Sequence, residues 1–110
     1  MKRLLMVMLV MSWASPVWAA FNSGNQLIAF CQASEMDPGN AYCLGYMAGT
    51  FDALDGADRG AGGYTFCNPG VTLNQVRDVV VMWLSDHPQH RHHDAHTLVA
   101  AALNEVWPCP

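Results

Sequence analysis

The sequence predicts an all-α domain, a small antiparallel four-helix bundle with two disulfides. Three observations predict it. Apolar residues recur at spacings of three and four in several stretches bounded by capping and stop signals. No stretch shows the alternation of a half-buried strand. Four cysteines, Cys31, Cys43, Cys67 and Cys109, are spread along a chain of 110 residues that is short enough to need crosslinks.

The first nineteen residues read as a secretory leader rather than as fold. Met1-Lys2-Arg3 is a short basic region, Leu4 to Val10 is an apolar run, and Val17 and Ala19 place small residues at a cleavage site. The run is too short to span about 30 Å of hydrocarbon, and Ser12 interrupts it. The expected product is a periplasmic, soluble domain over residues 20–110. Its surface keeps Arg59, Arg77 and Arg91 against nine acidic residues, for a formal charge near −6 with histidines neutral. Such a surface repels nucleic acid and anionic membrane and leaves protein as the expected partner.

Within the domain, Ser23 with Gln26 forms a capping-box pattern ahead of Leu27, Ile28, Phe30 and Cys31, a short first helix ending by about Ser34. Asp37-Pro38 is an N-cap followed by proline at the first helical position, opening a second helix to about Leu54. Ala41, Gly45, Ala48 and Gly49 fall on adjoining positions of that helix. Two glycines there fit either tight packing inside the bundle or an interface with another chain. Asp55 to Gly63, DGADRGAGG, has four glycines and no large apolar anchor, so a mobile loop held by no core is expected. Asn68-Pro69-Gly70 then forces a turn, Thr72 with Gln75 repeats the capping box, and Leu73, Val76, Val80, Trp83 and Leu84 form the core stripe of a third helix that Pro88 stops. A fourth helix starts between Gln89 and Asp94 and carries Ala95, Leu98, Val99, Ala102, Leu103 and Val106 on one stripe.

Antiparallel packing puts the turns near Asp37 and Pro88 at one end, with the glycine loop and both termini at the other. Cys31 then faces Cys43, and Cys67 faces Cys109, so each crosslink closes one hairpin. The gaps of 11, 23 and 41 residues lack the close cysteine pairs of a zinc site.

Chemistry is sparse. His87, His90, His92, His93 and His96 crowd around Arg91 and Asp94. If the fourth helix starts early, His92 and His96 lie one turn apart, a weak metal-binding alternative, and the cluster also suits a pH-responsive surface. Asp52, Asp55 and Asp58 sit at helical spacing, which usually means a solvated face. No nucleophile stands beside a base, so no enzyme and no cofactor are expected.

AYCLGYMAGTFDAL, FCNPGVTLNQVRDVVVMWLSDHP and HTLVAAALNEVWPC together closely resemble the Rap/Tai family of small periplasmic immunity proteins, which protect bacteria from peptidoglycan amidase effectors of type VI secretion. The resemblance runs from about Leu27 to Cys109. It implies an all-helical, disulfide-linked protein that acts by binding, often as a dimer, and occludes a cysteine–histidine amidase cleft. The dense histidine turn departs from the family pattern, which more often shows one or two there. An inhibitor of a cleft needs a protruding element, so Asp55, Asp58, Arg59 and Tyr64 of the glycine loop are the expected contacts, with Gly45 and Gly49 as the competing, dimer-forming surface. The alternative function is a periplasmic metal-binding or pH-responsive stress protein using the histidine turn, and a third is a chaperone exposing apolar surface at low pH.

Overall fold

A computed structural model describes residues 22–110; the expected leader and its cleavage site near Ala19 lie outside the described residues. Four helices follow one another: α1 Gly24–Cys31, α2 Pro38–Leu54, α3 Leu73–Asp86 and α4 Ala95–Val106, with a short 3-10 turn Pro88–His90 between the last two. Among the described residues the extended pairings are isolated bridges, and no helix is long and apolar enough to cross a membrane.

The caps are those expected from the residues. Ser23 and Gln26 exchange hydrogen bonds of 2.9 and 3.3 Å at the start of α1, and Thr72 and Gln75 exchange bonds of 2.8 and 3.3 Å at the start of α3. Each exchange satisfies two donors that the first helical turn leaves orphaned. The Asp37 carboxylate accepts from the Gly39 amide at 2.7 Å, with Pro38 at the position where no amide is needed.

The helices close over one apolar core. Leu27 on α1, Cys43 and Met47 on α2, Val80 and Leu84 on α3, and Val99 and Leu103 on α4 are fully buried. Phe66, just before α3, is equally buried and packs against Phe51 at 5.1 Å between ring centroids. Burying an aliphatic or aromatic side chain of this size is worth about 1.5–3 kcal/mol. The stripes expected on α3 and α4 are the buried ones, apart from their ends: Leu73 and Val106 are exposed and Trp83 is half-buried. The disulfides are Cys31–Cys43 and Cys67–Cys109, with Cα separations of 5.0 and 4.8 Å, the pairing that the hairpin layout requires.

Two expectations about layout are corrected. The domain does not begin at the glycine-loop end. Ser23 bridges to Asp94, the Gly24 amide donates to the His93 carbonyl at 3.0 Å, the Asn25 amide donates to Arg91 at 2.8 Å, and the Ala95 amide donates back to Asn22 at 2.9 Å. An eight-residue helix about 12 Å long cannot run the length of α2, and starting α1 against the turn before α4 gives the orphan donors of both helix starts a backbone partner. The small-residue face of α2 is also not packed inside the bundle. Its buried positions are Cys43, Met47 and Phe51, and a β-carbon built on Gly45 or Gly49 meets nothing within 4 Å.

Candidate functional site

The segment between α2 and α3 is a built element, not an untethered one. Asp55 ends α2, its amide donating to Phe51 at 3.0 Å, and its carboxylate accepts from the Asn68 amide at 2.8 Å. The Gly56 amide donates to the Phe66 carbonyl at 3.0 Å, so the loop closes at its base over the buried Phe66 ring. Farther out, Ala61 and Tyr64 exchange backbone hydrogen bonds of 3.1 and 3.0 Å around Gly62 and Gly63. Those two glycines have φ of 61° and 84°, the left-handed pair of a tight hairpin turn. A β-carbon on Gly60 would strike the Tyr64 carbonyl, and one on Gly62 would strike the Thr97 methyl. Asn104 on α4 donates to the Thr65 carbonyl at 2.7 Å. The expectation of a loop held by no core therefore fails. Backbone pairing and α4 hold it, because glycines admit a close approach that apolar side chains were not needed to secure.

The partner-contact residues expected from the sequence fare unevenly. Asp58, Arg59 and Tyr64 are exposed, Tyr64 at 44%. Asp55 is half-buried and its carboxylate is taken up by the Asn68 amide, so its role is in the loop's own architecture. Gly45 and Gly49 lie on an exposed face of α2.

The histidines are organised by stacking. Trp83 lies under His87 at 4.0 Å with 13° between planes, and His87, His90 and His93 continue at centroid spacings of 6.1 and 6.0 Å; His92 rests on His93 at 4.1 Å. His87 Nδ1 is hydrogen-bonded to the Trp83 carbonyl at 2.7 Å, which locks the foot of the ladder. α4 begins at Ala95, so His92 precedes it and the one-turn arrangement with His96 is not formed. Among the described residues, no group of three or more His, Cys, Asp or Glu side chains is placed to hold a metal.

The loop and the histidine turn meet across a groove of about 640 Å³, a size suited to a ligand or a partner segment. Tyr64 forms one wall, and Trp83 with His90, His92 and His93 forms the other. Thr97, Leu98 and Ala101 of α4 make the floor, and Asp94 is the carboxylate in the lining. On the far side of Trp83 lies a smaller groove of about 240 Å³, where Val79, Met82, Ala102 and Val106 are rimmed by Asp78, Asp86 and Glu105. One indole thus divides a histidine-lined groove from a carboxylate-rimmed one. Sequence reasoning singled out Tyr64 and the histidines separately and missed that they face each other, since the fold of the glycine loop along α4 brings them together. The spacing of Trp83 and His87, one helical turn apart, was the local signal for the ladder.

The arrangement suits binding. Exposed polar and aromatic groups stand on a rigid frame, and among the described residues the ion pair is the exposed Arg77–Asp78 contact at 3.2 Å, away from the groove. No curated protein matches the chain. A family model, described as Rap1a immunity proteins, matches residues 23–109, from the first helix cap to the last cysteine, and the chain belongs to that family.

Proposed function

We propose that the chain is a periplasmic immunity protein that binds and inhibits a peptidoglycan amidase effector of type VI secretion. The family match over residues 23–109 carries the reading, because it makes neutralisation of an effector the protein's role. Two features support the periplasm as the place. The basic start, apolar run and small-residue site of residues 1–19 fit export, and two disulfides fit an oxidising compartment. An amidase as the target follows from the resemblance of the three helical segments to the Rap/Tai pattern.

The contact surface is the glycine loop with its groove. A substrate cleft that admits a peptide stem is blocked by a projecting, pre-organised element, and ordering the loop in the free protein removes an entropy cost from binding. Asp58 and Arg59 supply exposed charge beside Gly56, and Tyr64 supplies the aromatic anchor typical of energetic centres of interfaces.

The test assays peptidoglycan hydrolysis by type VI amidase effectors with the chain in excess. Inhibition with one-to-one binding is expected. Hydrolysis at an undiminished rate refutes the immunity reading for that effector class. Alanine at Asp58, Arg59 and Tyr64 should each weaken binding by roughly 1–3 kcal/mol while leaving the melting temperature in place. Unchanged affinity in the triple variant, with loss on Gly45→Leu or Gly49→Leu in a folded protein, moves the contact to α2.

A further inference from the structure

Residues 20–110 carry nine carboxylates against three arginines. Of the three arginines in residues 20–110, Arg91 lies in the histidine turn, and four of the five histidines, His87 to His93, are in the same seven residues. Arg91 has no carboxylate within salt-bridge distance among the described residues, and its Nε is buried without an acceptor; the Trp83 indole N–H is likewise buried and unpaired. Both orphaned groups are donors. Across Trp83, the second groove has the opposite rim, with Asp78, Asp86 and Glu105.

We infer that the groove between Tyr64 and the histidine turn takes an acidic segment of the partner protein, aspartate or glutamate side chains seated against His90, His92 and His93, and that this contact tightens on acidification. The inference rests on the reading that this end of the molecule is the partner surface, and it names that partner's chemistry. The groups involved come from every element around the groove. α3 supplies Trp83 and His87, the latter held by its own backbone bond and so a support rather than a contact. Asp86 lines the other groove. The turn supplies His90, His92, His93 and Asp94, the last an opposing charge against which the imidazoles must prevail, while Arg91 stands outside the lining. α4 supplies the half-buried His96 and Thr97, and α2 places Tyr46 near Asp94 and His96. The loop supplies Tyr64, with Asp58 and Arg59 outside the lining.

Imidazole is the side chain whose charge changes between about pH 5 and 8. With His90, His92 and His93 neutral, the groove presents the Asp94 carboxylate within a molecule of net negative charge, and a second carboxylate gains little by entering. With them charged, three exposed donors converge on the same space, and each charge-assisted contact adds a modest attraction.

The experiment is a titration of the full chain with two probes, hexaglutamate and hexalysine, followed by side-chain resonances of histidine and tyrosine at pH 5.5 and 7.5. Hexaglutamate should shift His90, His92, His93 and Tyr64, and bind about tenfold more tightly at the lower pH. The variant H90Q/H92Q/H93Q, changed at exposed positions, should keep its fold and lose the pH-dependent part. Hexaglutamate affinity equal at the two pH values, shifts confined to other surfaces, or hexalysine shifting the same groove residues would overturn the inference. The parent reading is separable. An amidase bound equally well by native chain and triple glutamine variant removes the acidic-segment inference and leaves immunity standing, whereas an amidase the native chain does not inhibit removes the immunity reading and leaves the hexaglutamate result to decide the inference.

Discussion

Replacing both Gly45 and Gly49 by alanine should make the protein more stable. Both lie in the interior of the 17-residue α2, and a β-carbon at either position meets nothing within 4 Å, so no steric cost opposes the change. Glycine in a helix interior is less favourable than alanine by about 1 kcal/mol, chiefly because the unfolded chain loses more freedom on folding. The pair should therefore add about 2 kcal/mol. In a domain of this size each 1 kcal/mol moves the thermal midpoint by roughly 4–8 °C, so a rise of at least about 8 °C is expected. The assay is thermal unfolding followed by circular dichroism, repeated at protein concentrations about tenfold apart, with sedimentation on the same samples. A lower midpoint, or a midpoint that becomes independent of concentration only in the variant, would refute the reasoning. It would mean that another copy of the chain covers this face of α2 in solution and that the two missing β-carbons are what let it approach.

Changing Cys67 and Cys109 to alanine, both half-exposed, opens a loop of separation 42 and should cost about 4 kcal/mol on the chain-entropy estimate, read as a fall in the urea midpoint. A loss below about 1 kcal/mol would show that the Cys67 amide bond to the Trp107 carbonyl and the core already hold those ends together. Gly62→Ala should destabilise by about 1–3 kcal/mol more than Gly63→Ala, because both residues have positive φ but only the first meets Thr97; Thr97→Ser, which removes the methyl, should relieve the excess. Burial raises the Tyr46 hydroxyl above its usual 10.0, with lesser upward contributions from Tyr42 and Asp94 against a lowering hydrogen bond to Thr50. A raised folded value means that this contribution to stability is complete below pH 10.0 and is lost as pH rises through the folded value, so Tyr46→Phe should remove part of the alkaline loss seen in unfolding curves. An unchanged alkaline profile in the variant would contradict the assignment.

What could be seen in the sequence was whatever is local or follows from hairpin geometry. Ser23 with Gln26 and Thr72 with Gln75 cap their helices because the partners are three residues apart, and Val76, Val80 and Leu84 are buried because the helix repeat aligns them. The cysteine pairing followed from where two antiparallel hairpins bring their ends. The end of the bundle at which α1 starts was not legible because it depends on backbone bonds from Gly24 and Asn25 to His93 and Arg91, nearly seventy residues away, which leave no trace in side-chain pattern. The glycine loop was judged by its lack of apolar anchors, yet it is secured by main-chain pairing between Ala61 and Tyr64 and by Asn104 reaching Thr65. The groove itself depends on both of these long-range facts, so its residues were recognised without the space between them.

The two crosslinks also divide the molecule in a way that bears on how it fails. Cys31–Cys43 lies wholly before the glycine loop and Cys67–Cys109 wholly after it, so no covalent tie other than the main chain joins the two halves. A single protease cut at the Gly62–Gly63 tip would yield two fragments, each still closed on itself by a disulfide, held together only through the shared core in which Leu27 and Met47 pack with Val80, Leu84 and Leu103. On a non-reducing gel such a nicked molecule separates into two bands, while in native solution it keeps its shape. The segment proposed as the partner contact is thus also the point where the main chain alone joins the two halves, and a partner covering it would protect the molecule where a single cleavage does most harm.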